Sequence, residues 1–320
     1  MKKFVAILLT LMLVLGIGAA VADEGPATPT TDLTDHETVK IKKVYKLEGA
    51  GTSPVETFTL KQVGDGTVTN GEATSAPALG TITGAAFAAG AATANGATGE
   101  ITVALPEYTS VGVYEYTLQE VAGTTAGVAY YGKTIKLVVT VINGTDGNIR
   151  VAAVHTESED EVKSDKFENT YSAGTLTVKK TVTGNLGDKK KEFDFTVTFA
   201  APEGKNWTPA IGASEGATMV EDNSMSYTFK LKHDAMATFG NLPAGVTYTV
   251  TETPVDGYTT NNIEQKGTIV AGLNEVTFIN EKSGTIDTGV TTENLPYVLL
   301  IGFVVLAGAA LLIKRKAHNN

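Results

Sequence analysis

TLTVKK, residues 175–180, is the stretch on which the reading of this chain turns. Side chains of an extended strand alternate between two faces, so Leu176, Val178 and Lys180 share one face. Two of the three are apolar, which points that face at a core and puts a lysine in line with it. The arrangement has occurred once before. In VKIKKVYK, residues 39–46, Val39, Ile41 and Lys43 share a face in the same way.

Working outward, other stretches also come in pairs. GVYEYTLQE (112–120) recurs as GVTYTVTE (245–252), and KFENTY (166–171) recurs as TFINEK (277–282). Glu120 shares its face with Tyr114, Tyr116 and Leu118, and Glu252 shares its face with Tyr248 and Val250. Asn169 lines up with Phe167, and Asn280 with Val276 and Phe278. Each half therefore carries Lys, Glu and Asn, in that order, on inward faces. Taken singly these have ordinary explanations: a strand-end lysine that snorkels, a glutamate at a sheet rim, an asparagine in a turn. The same ordered trio in both halves of a repeat does not, because an unpaired buried charge costs several kcal/mol and finds a partner or neutralises.

The rest of the chain reads as all-β. ETFTL, EITVAL, TIKLVVTVI, FDFTVTF and SYTFKL are short alternating runs bounded by Gly, Pro, Asn and Asp. With the internal repeat, this predicts two tandem β-sandwich domains, 36–172 and 173–283, with the boundary near 171–174. Residues 71–99 look like low complexity, and Ile82 and Phe87 predict small inward anchors in a loop with weak strands.

Both ends read as targeting signals. MKK, then FVAILLTLMLVLGIG, then a small-residue site at Ala20–Ala22 predicts a signal peptide over 1–22. A flexible lead-in, 23–35, follows. At the other end, 284–320, an apolar run from 298 to 313 precedes Lys314, Arg315 and Lys316, which predicts a membrane-spanning helix with a basic stop. Just upstream, Thr285-Ile286-Asp287-Thr288-Gly289 resembles the wall-sorting motif LPxTG of Gram-positive surface proteins, without its Leu and Pro. That resemblance implies sortase cleavage between Thr288 and Gly289.

Composition narrows the chemistry. The formal net charge is −10, and Lys2, Lys3, Lys314, Arg315 and Lys316 all lie in the terminal signals, so the segment between them is more acidic still. This excludes nucleic acid and anionic membrane surfaces as partners. There is no cysteine, so covalent reinforcement outside the cell needs chemistry other than a disulfide. The trio supplies one. Burial favours the neutral form of a Lys–Glu pair, amine plus carboxylic acid. The amine attacks the asparagine carboxamide, the acid polarises its carbonyl and relays protons, and ammonia leaves a Lys–Asn isopeptide bond. The event happens once per domain and is not turnover.

Together these features resemble the two-domain backbone pilins of Gram-positive bacteria, built from streptococcal-type pilin isopeptide-linkage domains. The resemblance implies immunoglobulin-like sandwiches whose crosslinks, Lys43–Asn169 and Lys180–Asn280, join first and last strands, with Glu120 and Glu252 catalysing bond formation. It implies a sortase-acceptor lysine near the end of the first domain, Lys163, with Lys166 as runner-up. The implied partners are further copies in a head-to-tail polymer, a sortase and peptidoglycan, with minor pilins and host surface ligands as further candidates. No cofactor, metal or enzyme activity is implied, and the expected location is a wall-anchored extracellular pilus whose precursor is held by the C-terminal helix. The alternative is a wall-anchored adhesin or minor pilin that binds a host ligand without polymerising. Gly212–Gly216 (GASEG) fits a nucleophile pattern but lies in a loop. His36, His155, His233 and His318 lack metal spacing, and the lone Trp207 predicts edge packing.

Overall fold

The computed structural model describes residues 37–145, 147–159, 163–164, 166–221, 225–285, 296–297, 299–301 and 304. The signal peptide, the lead-in, Thr288, Gly289 and most of the expected membrane helix lie outside the described residues. Among the described residues no helix is long and apolar enough to cross a membrane.

Alternating apolar residues build two hydrophobic cores, one around Tyr45, Phe58, Tyr116 and Leu137, the other around Leu176, Phe195, Phe239 and Val250. Over the first core, the opening strand Thr38–Gly49 pairs antiparallel with Ala97–Ala104 and parallel with the start of Lys166–Thr183. The facing sheet contains Leu60–Gln62, Gly112–Glu120, Thr134–Asn143 and Ile149–Ser158. Over the second core, the remainder of Lys166–Thr183 pairs antiparallel with Met236–Pro243 and parallel with Gly272–Glu281. Its facing sheet centres on Phe193–Ala200, flanked by Ser226–Leu231 and Thr247–Glu252.

Each lobe thus brings its closing strand back parallel to its opening strand, and the registers coincide. Lys43 stands opposite Phe167 and Tyr45 opposite Asn169; Lys180 stands opposite Phe278 and Val182 opposite Asn280. In both lobes the asparagine's neighbour lies two residues beyond the lysine, on the same face of the pleat.

KFENTY and TLTVKK, read as separate strands, are one. Lys166–Thr183 is 18 residues long and runs unbroken through 171–174. Gly174 reads as a turn signal but serves close packing. A Cβ there would stand 2.3 Å from the Val270 carbonyl oxygen and 2.7 Å from that of Gly272, so a larger residue would push the neighbouring backbone away. In the 71–99 segment, Ile82–Thr83 and Ala85–Phe87 form short strands. Phe87 is buried in the first core and Ile82 packs against it.

Candidate functional site: two buried Lys-Glu-Asn clusters

In each lobe the lysine and asparagine come from neighbouring parallel strands of one sheet, and the glutamate comes from the last position of a strand in the facing sheet. Period-two alternation delivers all six inward: Lys43 is 1% exposed, Glu120 4%, Asn169 1%, Lys180 1%, Glu252 1% and Asn280 2%.

In the first lobe, Lys43 Nζ donates to Glu120 Oε2 and, at 2.7 Å, to Asn169 Oδ1. Asn169 Nδ2 donates to Glu120 Oε1 at 2.6 Å. The Tyr131 backbone N–H reaches both acceptors, Asn169 Oδ1 at 3.0 Å and Glu120 Oε1 at 3.1 Å. The second lobe repeats the triangle with different bonds. Lys180 Nζ donates to Glu252 Oε1 and Oε2, both at 2.9 Å. Asn280 Nδ2 donates to Glu252 Oε1, while Asn280 Oδ1 is buried with no hydrogen-bond partner among the described residues.

Burial pushes the Lys43 amine below its ordinary 10.5, against the opposing pull of Glu120. Burial lowers Lys180 in the same way, against Glu252. The charged ammonium loses its water and the apolar walls do not replace it. Those walls are aromatic. Lys43 Nζ lies 5.3 Å from the Phe58 ring centre and 5.7 Å from that of Tyr131, and Lys180 Nζ lies 4.3 Å from Phe193 and 5.8 Å from Phe195. The rings were absent from the sequence-level site. Phe193 and Phe195 were legible in FDFTVTF, where they alternate inward. The Tyr131 N–H was not, because a backbone donor in a connection carries no residue-type signal.

The other candidates lie elsewhere. Lys163 is exposed and forms an isolated antiparallel bridge with Glu157. Lys166 is exposed at the start of the long strand, its Nζ 3.9 Å from Glu168. Ser214 is no nucleophile elbow: its Oγ accepts from the Thr238 N–H at 3.1 Å, and its N–H donates to the Thr238 carbonyl at 2.8 Å, next to the edge strand Gly212–Ala213. Trp207 is half-buried against the second core. Among the described residues no group of His, Cys, Asp and Glu could hold a metal.

A buried Lys–Glu–Asn trio is made twice in one register. Residues 39–172 match the family described as Spy0128-like isopeptide containing domain. Residues 174–282 match Domain of unknown function (DUF7601). A pilin of Streptococcus pyogenes serotype M1 is 31% identical over 175 residues, 47% of this chain and 51% of that protein. Over that stretch the chain is similar to a streptococcal pilin. The pilus tip adhesin Cpa of Streptococcus pyogenes is 33% identical over 125 residues, 37% of this chain but 18% of the adhesin. The matched segments thus span about half of the first relative and a smaller part of the second. The major pilin from Streptococcus pyogenes shares the fold, with a TM-score of 0.55 over 78% of this chain and 100% of that one at 22% identity. The major pilin protein T3.2 from the same species gives 0.51 over 78% and 99% at 20% identity.

Proposed function

We propose that this pilin homologue is the structural subunit of a covalently polymerised surface pilus, built of two immunoglobulin-like sandwich domains, 36–172 and 173–283, each locked by its own Lys–Asn isopeptide bond. One observation carries the reading: a buried lysine, glutamate and asparagine meet twice, across the opening and closing strands of each lobe. One proton moves along the Lys–Glu hydrogen bond, and the ion pair becomes an amine and an acid. The amine attacks Cγ of the asparagine; the C–N bond to the side-chain nitrogen breaks, the carboxyl gives that nitrogen its proton so that it leaves as ammonia, and the carboxylate takes up the surplus proton of the attacking nitrogen. The rigid strands hold the groups together, which replaces a bimolecular encounter by an intramolecular one.

In the same reading, 1–22 is a signal peptide and 284–320 a sorting signal with a membrane helix. A sortase cleaves between Thr288 and Gly289 and joins Thr288 to Lys163 of the next subunit, and peptidoglycan anchors the finished polymer outside the cell. The chain is not an enzyme but undergoes one reaction of its own per domain. The intact mass of residues 23–288 tests the crosslinks: it falls two ammonias short of the sequence mass, and a mass equal to the sequence overturns the reading of both clusters.

The match to a pilus tip adhesin favours one other reading, a wall-anchored adhesin that does not polymerise. Denaturing gels of wall extracts separate the two, since only a backbone subunit gives a ladder of covalent multimers.

A further inference from the structure

Burial pulls the Lys43 and Lys180 amines below their ordinary range, but the joining lysine is in water. An amine in water is protonated at neutral pH and must shed a proton before it attacks. The surroundings of Lys163 supply an acceptor. A groove of about 320 Å³ runs beside it, lined by Val39, Lys40, Val154, His155, Lys163 and Ser164. Lys163 bridges Glu157 across an antiparallel pair, and Ser164 N–H donates to the Thr156 carbonyl at 3.0 Å. Lys163, Glu157 and His155 therefore share one face as direct and diagonal cross-strand neighbours. His155 Nε2 lies 2.9 Å from Glu157 Oε1. A carboxylate only accepts, so Nε2 carries the hydrogen, and in the neutral imidazole Nδ1 is then the nitrogen with the lone pair. Among the described residues, the other charges facing this group are Lys40 in the groove and Lys136, whose Nζ is 3.8 Å from Glu157 Oε2.

We propose that His155 is the proton acceptor for the Lys163 amine, oriented by Glu157, in the groove that receives the incoming acyl group. The proposal rests on the reading of Lys163 as the joining lysine. A proton leaves the Lys163 ammonium for His155 Nδ1, and the amine attacks the Thr288 carbonyl carried as an acyl thioester. The C–N bond forms, the C–S bond breaks, and the surplus amine proton goes to the departing thiolate.

The test uses the folded full chain and a peptide thioester, GTIDT activated at its C-terminus. Acylation of Lys163 and Lys166 is compared in one sample by peptide mass, across the imidazole range of about pH 5 to 8. Lys163 reacts at least about tenfold faster than Lys166 near neutrality. His155→Gln brings Lys163 down to the rate of Lys166 and gives it the same pH profile as Lys166, while Lys166 and the ammonia loss of the first lobe stay unchanged. Glu157→Gln leaves the imidazole in place, releases its orientation and lowers the ratio as well. Equal rates for the two lysines in the wild type, or a ratio untouched in both variants, overturn the proposal. The reading beneath it has its own test: a covalent ladder that survives Lys163→Ala in wall extracts removes Lys163 as the joining lysine, whatever the thioester shows.

Discussion

The two Lys–Glu–Asn clusters share residue types, chain order and register, and differ in what holds the asparagine carbonyl. Asn169 Oδ1 accepts from Lys43 and from the Tyr131 backbone, whereas Asn280 Oδ1 has no partner among the described residues and Lys180 gives both its bonds to Glu252. The first cluster is held by four groups and the second by three. An unsatisfied buried acceptor costs on the order of 1–3 kcal/mol. Turning the Asn280 amide over would bring its oxygen to the carboxyl, which is favourable only if Glu252 carries a proton to donate. The second site can thus exchange the Asn280 Nδ2–Glu252 bond for one that aims the carboxylic acid at the Asn280 carbonyl oxygen when it adopts the neutral, reactive form, while the first already has a backbone donor where negative charge develops during attack.

The clusters also differ in their place along the chain, and this gives the largest expected effect. A pull between residue 163 and residue 283 enters the long strand near its start, runs to Lys180 and, if the second bond is present, crosses directly to Asn280. Everything between those two residues is bypassed, as is everything before residue 163. In single-molecule stretching by these two points the crosslinked chain shows no unfolding step. Asn280→Ala releases about 100 residues, a gain of roughly 300 Å at 3.3–3.6 Å per residue. Asn169→Ala, in the same experiment, releases nothing. A long step in Asn169→Ala, or none in Asn280→Ala, breaks the assignment of load to the second bond.

Next in size is the loss of each bond at equilibrium. Glu120→Ala leaves one ammonia unreleased and Glu252→Ala leaves the other, and the double variant keeps both; intact mass reads this directly. A crosslink that closes a loop of about 100 residues is worth about 5 kcal/mol in chain entropy, on the disulfide analogy. Each single variant therefore melts and digests earlier in its own lobe, by calorimetry and limited proteolysis. An Ala variant that still loses both ammonias removes the glutamates from the chemistry.

What made these sites legible was a violation of the two-residue period. Lys43 and Lys180 occupy positions where alternation demands apolar side chains, and Glu120 and Glu252 end runs of Tyr, Leu and Val. Because this happens twice, each instance checked the other. The long strand was not legible, because Ser172, Ala173 and Gly174 look like a turn. Gly174 is small because backbone at Val270 and Gly272 comes close, and that contact is nonlocal. The difference between the clusters was also hidden, since it rests on a backbone N–H and on the rotation of one carboxamide. Neither is written in residue type.

A smaller effect concerns rate. One preorganised backbone donor at a developing oxyanion contributes about 100-fold or more, so the first bond forms about 100-fold faster than the second. Asn280→Ala and Asn169→Ala each leave a single reactive site, and fragment masses from pulse-labelled protein follow one bond at a time. Equal rates in the two variants mean that the Tyr131 N–H does not act on Asn169.

The smallest effect is a pH dependence that appears only when a lysine is left unconsumed. In Asn169→Ala, Lys43 remains an amine buried beside Glu120. Its folded-state value lies below the 10.5 of the unfolded chain, because burial disfavours the charge. Between those two values the unfolded chain binds a proton that the folded chain does not, so unfolding free energy rises with pH across the window, by at most about 1.4 kcal/mol per pH unit, and levels off above the unfolded value. With the proposed Lys43–Asn169 bond formed, the same nitrogen is an amide and contributes no such slope. Denaturant melts of the first lobe, from neutral pH to beyond the unfolded lysine value, compare the two proteins. A variant that loses stability as pH rises through this window would mean that the Lys43 charge is stabilised by the fold, with Glu120 outweighing desolvation, and the neutral amine on which the reaction depends would lose its physical basis.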